Sequence, residues 1–412
     1  MHIAMLSAEF PPRWGGMGST VFHLSAALVN RGHRVTVITR SGAGKPPHQE
    51  GVSVIEVGWA KIPMEFTRSY GRRAIAELER LNERDGVDVV HLHCPMISWS
   101  ASQFDHCVER IAPVVSSLHG SWLGERDGLI EASRAKEAAV WANVNDIAIR
   151  FTAGRYARFE NFAINQSIIC VANSNATKED FESRYSPPSD WRCKVVHWGV
   201  DAEMFRPLDR GDTEESRLAD EIRTRFGSGS PDSKLVLAVG RLAARKGYST
   251  LIRGFSALNS EIPNSNLVIV GRGHLKRRLM NLAKSLGVGD KVKIESSMSF
   301  TELAHLYRSS DLVVYPSFYE GQGLIPLEAM SSGIPVVTVD HGPLPEMVDN
   351  TVGALFTMGD TDSMVSAMKD ALTEDSSHKG SQGRARVLDR FTYSGNAESF
   401  ENIYLEAIQM AD

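Results

Sequence analysis

Two glutamates with seven residues between them stand in the segment Glu320-Gly-Gln-Gly-Leu-Ile-Pro-Leu-Glu328. The apolar run Leu312–Tyr315 before them is typical of a strand, and Pro316 and Gly321 end it. Residues 324–330 continue with helix-forming types. The pattern therefore predicts that Glu320 lies in a loop at the end of a strand and that Glu328 lies inside the following helix.

The chemistry that suits this pair of acids is recognition of hydroxyl groups. Carboxylates accept hydrogen bonds from hydroxyls and repel phosphates. In an open parallel α/β sheet, ligands bind outside the carboxyl ends of the strands, where Glu320 is predicted to lie. Gly321 and Gly323 leave the N-terminus of the following helix open to a ligand. We therefore expect a sugar and a ribose beside the two acids.

A second segment, Val239-Gly-Arg-Leu-Ala-Ala-Arg-Lys-Gly247, carries cations where a strand gives way to a helix. Gly240 allows close approach of the backbone, and Arg241 and Lys246 follow it. A guanidinium is a two-pronged donor and an ammonium is a point charge, so the two together suit a diphosphate. The alternative is a pair of solvated surface cations.

Near the N-terminus, Phe10-Pro-Pro-Arg-Trp-Gly-Gly-Met-Gly-Ser-Thr20 joins a predicted strand to a helix through a glycine-rich turn. Its backbone N–H groups and the helix N-terminus, which carries about half a positive charge, would form an anion site. The segment lacks both the Gly-x-Gly-x-x-Gly spacing of dinucleotide-binding folds and the Gly-Lys-Ser/Thr of a P-loop. It therefore indicates neither kind of nucleotide site, and a tight turn without a ligand is the alternative.

Three histidines, His91, His93 and His119, are predicted at the ends of two strands. A single histidine in such a position is more often structural than functional. Metal binding by His91 and His93 would need a third ligand, which the sequence does not show. We therefore expect no metal site.

These residues would be positioned by strands and helices that alternate through a chain of 412 residues, which is long enough for two domains. Strand-like runs such as 3–6, 35–39 and 87–92 alternate with helical stretches, and the rhythm resumes at 235–240. This alternation predicts an α/β protein with parallel sheets covered by helices on both faces.

The predicted domain boundary follows Val200, where polar stretches rich in Gly, Ser and Pro interrupt the rhythm. We expect an N-terminal α/β domain with a parallel sheet over residues 1–200 and a hinge and linker over 201–233. A second α/β domain would follow over 234–390, with a C-terminal helix over 391–412. Clefts between domains are common ligand sites.

Composition excludes several other classes of protein. The net charge of −5 argues against binding nucleic acid through a basic surface. The four cysteines lie far apart without CxxC spacing, which argues against a zinc site and a disulfide framework. The N-terminal apolar run is too short for a signal peptide, and no stretch approaches the roughly 20 apolar residues that cross a bilayer. We therefore expect a cytoplasmic protein, with any membrane association peripheral.

In its motifs the chain resembles the retaining glycosyltransferases of family four, which have the GT-B fold of two Rossmann-like domains facing across a cleft. The resemblance implies that the N-terminal domain binds the acceptor, that the C-terminal domain binds a nucleotide sugar, and that the C-terminal helix over 391–412 crosses back to the N-terminal domain. The Glu-x7-Glu signature in its Tyr-Pro-Ser-Phe-Tyr-Glu-Gly context and the Gly-Arg-Leu-x3-Lys-Gly pattern carry this resemblance. The resemblance implies that Glu320 holds hydroxyls of the donor sugar and that Glu328 holds the ribose of the nucleotide. It also implies that Arg241 and Lys246 bind the diphosphate.

The same resemblance assigns further residues to the donor. Gly271 and Gly273 would form a turn beside the nucleotide base, and Gly15 and Gly16 would contact the donor across the cleft. His119 would contact the donor sugar near its reacting carbon. The backbone that follows Glu320 would face the sugar and phosphate through Gly321, Gln322, Gly323 and Leu324. Gln322 stands where the family usually has Phe, which bears on the identity of the sugar.

The resemblance implies transfer of a hexose from a nucleotide-diphosphate sugar, such as a UDP- or GDP-hexose, to an acceptor hydroxyl. The anomeric configuration would be retained, and no metal or other cofactor would be needed. The acceptor would be a sugar, a lipid-linked molecule or another small molecule. A helical stretch rich in Arg and aromatic residues between Trp122 and Asn165 would face an acceptor or an anionic membrane surface, or would be a solvated helix face.

Two alternatives remain open at this point. The spacing Arg13-x-Gly-Gly-x-Gly18 is similar to the loop of glycogen and starch synthases, with Arg in place of Lys, and would indicate an α-glucan synthase. Against it, His91-Leu-His-Cys94 lacks the His-Asp-Trp that follows the equivalent strand in those enzymes. The other alternative is a sugar-nucleotide binding protein without transfer activity, or an epimerase.

Overall fold

The computed structural model of the chain describes residues 1–137, 141, 143–227, 233–296, 298–372 and 375–411. By their contacts, the residues form two compact units. Unit 1 comprises Met1–Arg126, Val144–Gly199 and Tyr393–Asp412. Unit 2 comprises Asp127–Asn143 and Val200–Thr392.

Strands and helices alternate along both units, as the sequence pattern predicts. The strands of the described residues are β1 His2–Leu6, β2 Arg34–Arg40, β3 Val52–Val57, β4 Val89–Cys94, β5 Val114–Leu118, β6 Ile169–Ala172, β7 Cys193–Val195, β8 Lys234–Val239, β9 Ser265–Val270, β10 Val292–Glu295, β11 Leu312–Tyr315, β12 Val336–Val339 and β13 Gly353–Phe356. The helices are α1 Gly16–Asn30, α2 Glu65–Asp85, α3 Ala101–Arg110, α4 Trp122–Arg134, α5 Val144–Gln166, α6 Asn175–Tyr185, α7 Thr213–Phe226, α8 Tyr248–Glu261, α9 Lys276–Ser285, α10 Phe300–Arg308, α11 Leu324–Ser331, α12 Thr361–Ala371, α13 Ser376–Arg390 and α14 Tyr393–Ala411.

Unit 1 contains a seven-stranded sheet with the order β3-β2-β1-β4-β5-β6-β7. Every neighbouring pair in it is parallel. All residues of β1, β4 and β5 are buried. Near-continuous buried runs are expected in a parallel sheet that helices cover on both faces.

Unit 2 contains a six-stranded sheet with the order β10-β9-β8-β11-β12-β13, and its neighbouring strands are also parallel. In each sheet the strand order reverses beside the first strand of the unit, between β1 and β4 and between β8 and β11. At such a reversal the connections leave in opposite directions and open a crevice at the carboxyl ends of the strands. The topology therefore places the loops after β1, β4, β8 and β11 where ligands bind in this class of sheet.

The predicted linker, residues 201–233, contains the helix α7, which belongs to unit 2. Its N-cap is Asp212, whose carboxylate accepts the backbone N–H groups of Glu214 and Glu215. Buried Glu215 pairs with Arg308 of α10, so α7 is held to the rest of unit 2. The linker prediction followed the Gly, Ser and Pro content of the flanking residues, of which 228–232 lie outside the described part of the chain.

A second difference from the predicted ranges concerns Asp127–Asn143, which the contacts group with unit 2 although the prediction assigns residues 1–200 to one domain. Buried Glu137 anchors this segment. Its carboxylate accepts the backbone N–H groups of Ser249 and Thr250 at the start of α8, at 2.9 and 2.6 Å. None of the described helices is long and apolar enough to cross a membrane.

Candidate functional site

Glu320 lies at the carboxyl end of β11, in the loop that leads to α11, as predicted. Three side chains donate hydrogen bonds to the same oxygen of its carboxylate, Oε1. They are the Tyr315 hydroxyl at 2.7 Å, the Ser317 hydroxyl at 2.6 Å and the Lys246 ammonium. Among the described residues, no group donates to the other oxygen, Oε2. The arrangement fixes the carboxylate through one oxygen and leaves the second available to an outside donor.

The ionisation of this cluster follows from its burial and its charges. Burial alone would raise the pKa of Glu320, but the charges of Lys246 and Arg245 and the hydrogen bonds from Lys246 and Ser317 outweigh it and lower the pKa to about 2. Burial lowers the pKa of Lys246 to about 8, against the opposing effect of Glu320. Near neutral pH the glutamate is therefore an anion and the lysine is mostly a cation.

The loop after β8 brings three cations to this end of the unit 2 sheet. Lys246 donates to the Tyr315 hydroxyl at 3.0 Å as well as to Glu320, which accounts for two of the three N–H donors of an ammonium. Arg241 is exposed beside Gly240. Arg245 donates to the carbonyl of Tyr319 at 3.2 Å and lies 3.9 Å from Glu320. Sequence reasoning treated Arg245 as a spacer, and only its charge next to Lys246 could have indicated a part in the site.

Glu328 lies inside α11, as predicted, one turn beyond the start of the helix. Its Oε2 accepts a hydrogen bond of 2.7 Å from the hydroxyl of Tyr307, a fully buried residue of α10. Burial raises the pKa of Glu328 to about 7, and the hydrogen bond from Tyr307 opposes that effect. Unlike Glu320, this carboxyl changes its charge within the physiological pH range.

The N-terminus of α11 directly follows the glycine-rich turn. Gly323 is its N-cap with φ = +94°, a conformation that side chains other than glycine rarely adopt. The Gln322 side chain is buried, and its amide lies 3.8 Å from the sulfur of Met347. The backbone N–H groups from Gly321 to Leu324 therefore lead into a helix whose N-terminal dipole favours an anion.

Gly271 and Gly273 follow β9, next to the loop after β8. A Cβ atom at Gly271 would collide with the carbonyl of Gly240, and one at Gly273 would collide with the carbonyl of Leu242. The N–H of Leu242 also donates to the carbonyl of Arg272, at 2.9 Å. These two glycines thus let the loops after β8 and β9 approach closely, which is a structural reason for glycine at both positions. Their contact with a nucleotide base stays a prediction.

In unit 1, the glycine-rich turn runs from β1 into α1, with Gly15 as the N-cap and Gly16 as the first helical residue. The carboxylate of Glu9 lies beside Gly15, because a Cβ atom there would approach Glu9 Oε2 to 2.5 Å. Arg13 donates to the carbonyls of Arg40 and Ser41, at 3.1 and 3.4 Å. These two bonds direct the Arg13 guanidinium to the end of β2.

The histidines differ from the prediction in their position, since His91 and His93 lie inside β4 and only His119 follows a strand, β5. They nevertheless form one cluster, because β4 and β5 are neighbours in the sheet. His93 Nδ1 lies 2.9 Å from His119 Nε2. Burial lowers the pKa of His119 to about 3 and holds that of His93 well below its usual value, so both rings are neutral near pH 7.

Aromatic rings complete this cluster within unit 1. Trp198 stacks on His119, with ring centroids 5.1 Å apart and an interplanar angle of 11°. Phe400 of α14 stacks on the Trp198 ring at 5.1 Å and 9°. The sequence pattern gave no sign that Trp198 lies against His119. In the described residues, no group of three His, Cys, Asp or Glu side chains is arranged to hold a metal ion.

Two family models match the chain and decide its family. The model described as "Glycosyltransferase Family 4" matches residues 14–204, and the one described as "Glycosyl transferases group 1" matches residues 220–386. Together they span the glycine-rich turn, the histidine cluster, the cations and both glutamates. The chain is a family-four glycosyltransferase. The resemblance drawn from the sequence motifs is thereby confirmed.

Relatives agree with this assignment over the length of the chain. An uncharacterized glycosyltransferase of Methanocaldococcus jannaschii is 28% identical and covers 100% of this chain and 99% of its own length. The glycogen synthase of Mycobacterium tuberculosis strain H37Rv is 26% identical, covering 99% of this chain and 95% of its own.

Solved structures match this glycosyltransferase in fold. Sucrose-phosphate synthase of Thermosynechococcus elongatus has a TM-score of 0.79 at 20% identity and covers 99% of both chains. The Anabaena protein HepE in complex with UDP and glucose has a TM-score of 0.69 at 18% identity and covers 98% of this chain and 100% of its own. The predicted fold class, two parallel-sheet α/β domains of the GT-B type, is confirmed.

Proposed function

We propose that this glycosyltransferase moves a hexose from a nucleotide-diphosphate sugar, a UDP- or GDP-hexose, to an acceptor hydroxyl with retention at the anomeric carbon and without a metal ion. The observation that carries the proposal is the Glu320 carboxylate, ionised and fixed through Oε1 by Tyr315, Ser317 and Lys246. A carboxylate held in this way presents its second oxygen as an acceptor for sugar hydroxyls without reorganising.

In this proposal the diphosphate is bound by the cations around Glu320. Lys246 retains one N–H donor, and Arg241 and Arg245 lie in the same loop, with Arg245 3.9 Å from Glu320. With the N-terminus of α11, these groups would stabilise the negative charge that develops on the leaving phosphate. Fixed cations would then serve the purpose that a divalent metal serves in other transferases.

The remaining parts of the donor are assigned by chemistry and by family resemblance. Glu328 would accept the ribose hydroxyls, and the turn at Gly271 and Gly273 would lie beside the base. Gly15 and Gly16 of unit 1 would contact the donor phosphate or sugar, and His119 would contact the sugar near its reacting carbon. Retention would arise by attack of the acceptor on the same face from which the nucleotide leaves, with the phosphate itself taking the acceptor proton.

Release of nucleotide from a panel of UDP-, GDP- and ADP-hexoses, with and without candidate acceptors, tests the proposal. We expect acceptor-dependent release that survives EDTA, and a product whose anomeric configuration by NMR equals that of the donor. Glu320→Ala and Lys246→Ala variants that keep full transfer activity would contradict the site, and an inverted product would contradict retention. Nucleotide-sugar binding without any release would favour a binding protein.

An α-glucan synthase is the second candidate function, favoured by the glycogen synthase among the relatives. The alternative also follows from the Arg13-x-Gly-Gly-x-Gly18 spacing, and in unit 1 the Arg13 guanidinium is bonded to the backbone at the end of β2. Elongation of a glycogen primer by ADP- or UDP-glucose would support this alternative. Transfer to a monomeric acceptor with no elongation of the primer would exclude it.

Peripheral contact with the cytoplasmic face of a membrane is also proposed, for α5. Val144 and Phe151, each 71% exposed, lie two helical turns apart, and exposed Arg155 and Arg158 continue the same face. Apolar and basic side chains on one helix face suit an anionic lipid surface. We expect co-sedimentation with anionic vesicles that falls for Phe151→Ser, and equal sedimentation without vesicles would argue against the contact.

A further inference from the structure

The histidine cluster of unit 1 contains a polar atom with no partner. His93 is completely buried, and its Nε2 has no hydrogen-bond partner among the described residues. Its other ring nitrogen, Nδ1, lies 2.9 Å from His119 Nε2. A neutral imidazole carries one proton, so only one of the two His93 nitrogens can be a donor.

The ring nitrogen that carries the proton of His93 determines which ring nitrogen carries the proton of His119. If the proton were on His93 Nε2, a buried N–H group would have no acceptor, which is rare in folded proteins and costly. If it is on Nδ1, that N–H donates to His119 Nε2, and the unpaired atom is a lone pair. His119 Nε2 is then an acceptor, so the single proton of His119 must be on its Nδ1.

His91 does not disturb this order, because hydroxyl groups satisfy both of its nitrogens. Its Nε2 lies 2.7 Å from the Ser117 hydroxyl, and its Nδ1 lies 2.8 Å from the Tyr404 hydroxyl. A hydroxyl can donate or accept by rotating, so either tautomer of His91 is compatible with its neighbours. The direction of the His93–His119 bond is therefore set by the unpartnered Nε2 of His93.

We propose that His93 is a positioning residue that holds His119 in the tautomer protonated on Nδ1. His119 Nδ1 makes no hydrogen bond with the described residues, and His119 is less buried than His93. The ring therefore offers an N–H donor, and not a lone pair, to whatever binds at the end of β5. This part rests on the proposed function, in which His119 contacts the donor sugar, and it specifies a sugar hydroxyl that accepts from His119.

The stacked rings keep His119 in the orientation that the bond requires. Trp198 covers one face of the imidazole, and Phe400 supports Trp198 from behind. A ring flip of His119 would exchange Nε2 for a carbon atom and break the bond to His93. Stacking and hydrogen bond thus fix both the orientation and the proton of one ring.

The tautomer can be measured directly by NMR of the full chain labelled with 15N-histidine, because protonated and unprotonated ring nitrogens have distinct shifts. We expect His119 to carry its proton on Nδ1 and His93 to do the same. An Nε2-protonated His119 would overturn the proposal. This readout needs no donor or acceptor, so it is decided separately from the proposed transfer activity.

Two substitutions of His93 test the link to activity. His93→Phe removes the donor, and we expect a mixture of His119 tautomers and a roughly three- to tenfold lower kcat, the size expected for one lost hydrogen bond. His93→Asn keeps a short N–H donor and should restore both the tautomer and most of kcat. Affinity for the free nucleotide should be equal in both variants, since His119 is assigned to the donor sugar and not to the nucleotide.

A matched control is His2→Asn, which changes another buried histidine of the same sheet. His2 is the first residue of β1 and is not part of the histidine cluster. The His2→Asn substitution should leave the His119 spectrum unchanged. A His93→Phe variant in which His119 stays protonated on Nδ1 would overturn the assignment of His93. A tautomer change without any change in kcat would overturn the role in transfer and leave the rest of the proposed function standing.

Discussion

Glu320 and Lys246 form a buried ion pair, with side chains 13% and 10% exposed. Removing one partner of such a pair leaves a buried charge uncompensated, which typically costs about 3–5 kcal/mol. We therefore expect Glu320→Gln to lower the free energy of unfolding by about 3 kcal/mol near pH 7, in addition to its loss of activity. Chemical denaturation measured with and without nucleotide would separate the two effects.

Tyr315→Phe is the control for this first prediction. It removes the hydrogen bond from Tyr315 to Glu320 Oε1 and the one from Lys246 to Tyr315 but keeps the ion pair, so we expect the free energy of unfolding to fall by about 1–2 kcal/mol. The cost of Glu320→Gln should also shrink above pH 8, because Lys246, whose pKa is lowered to about 8, can then lose its charge. Equal costs for both variants at every pH would show that the ion pair does not stabilise the fold.

Glu328 should make the stability of the protein depend on pH, because its pKa is raised, whereas that of Glu320 is lowered. Its pKa in the folded protein is raised to about 7, so the folded state holds a proton that the unfolded state loses near pH 4.5. Stability therefore falls as the pH rises from about 4.5 to 7 and levels off above 7, a loss of about 3 kcal/mol for this group. Unfolding of Glu328→Gln across this range should show a flatter profile than the wild type.

The same ionisation predicts how donor affinity changes with pH. If ribose hydroxyls bind the Glu328 carboxylate, binding releases its proton, and affinity should rise between pH 6 and 7 by less than tenfold, below the range in which Lys246 loses its charge. UDP-glucose or GDP-glucose is the proper ligand, since a sugar diphosphate has no ionisation of its own in this range. Calorimetry should show this rise in the wild type and none in Glu328→Gln.

At the scale of elements, α8 depends on a cap that comes from far along the chain. Gly247, its N-cap, offers no side chain, and Glu137 instead accepts the N–H groups of Ser249 and Thr250 together with the Thr250 hydroxyl. Because the loop that ends at Gly247 carries Lys246, the start of α8 also fixes the position of the cations. We expect Glu137→Ala to reduce stability by about 2 kcal/mol, as for the strongest caps, and to raise KM for the nucleotide sugar.

Asp360→Ala is the matched control for Glu137→Ala. Asp360 caps α12 of the same unit from its own N-cap position, accepting the N–H groups of Asp362 and Ser363. Asp360→Ala should lower the free energy of unfolding by about 1 kcal/mol without changing KM for the nucleotide sugar. If both variants changed KM equally, general loosening of unit 2, and not the position of α8, would be the cause.

Local sequence signals predicted those parts of the site that depend on neighbours along the chain. The strand before Glu320 and the helix around Glu328 follow from apolar runs broken by Pro316 and Gly321, and the structure confirms both positions. The pair of Lys246 and Glu320 spans 74 residues and exists because β8 and β11 are adjacent in the sheet. Periodicity gives no such adjacency, and the sequence therefore assigned Lys246 to a diphosphate without its carboxylate partner.

The helix α7 and the cap from Glu137 were missed for different reasons. α7 has few apolar residues and lies beside Gly- and Ser-rich sequence, although Asp212 followed by acids in the first turn is a recognisable helix start. Glu137 contacts Ser249 and Thr250, which are separated from it by 112 and 113 positions in the sequence. Nothing in the local sequence of Glu137 distinguishes it from a solvated glutamate.

At the scale of the whole molecule, the chain contributes its last helix, α14, to unit 1, although unit 2 precedes it. The buried face of this helix includes Phe400, which contacts the Trp198 and His91 rings, and Tyr404, which bonds to His91. Unit 1 therefore cannot complete its core until α14 has been synthesised. The two sheets with their separate hydrophobic clusters should respond separately to a defect in this helix.

Phe400→Ala and Leu405→Ala test this dependence in one helix. Phe400 is fully buried, and its truncation should lower the stability of unit 1 by about 3–5 kcal/mol, whereas Leu405 is 44% exposed and should cost much less. Six of the seven tryptophans belong to unit 1, so tryptophan fluorescence reports its unfolding. Hydrogen exchange of peptides from Val200–Thr392 reports unit 2, where we expect no change. Equal loss of protection in both units for Phe400→Ala would show that they unfold as one.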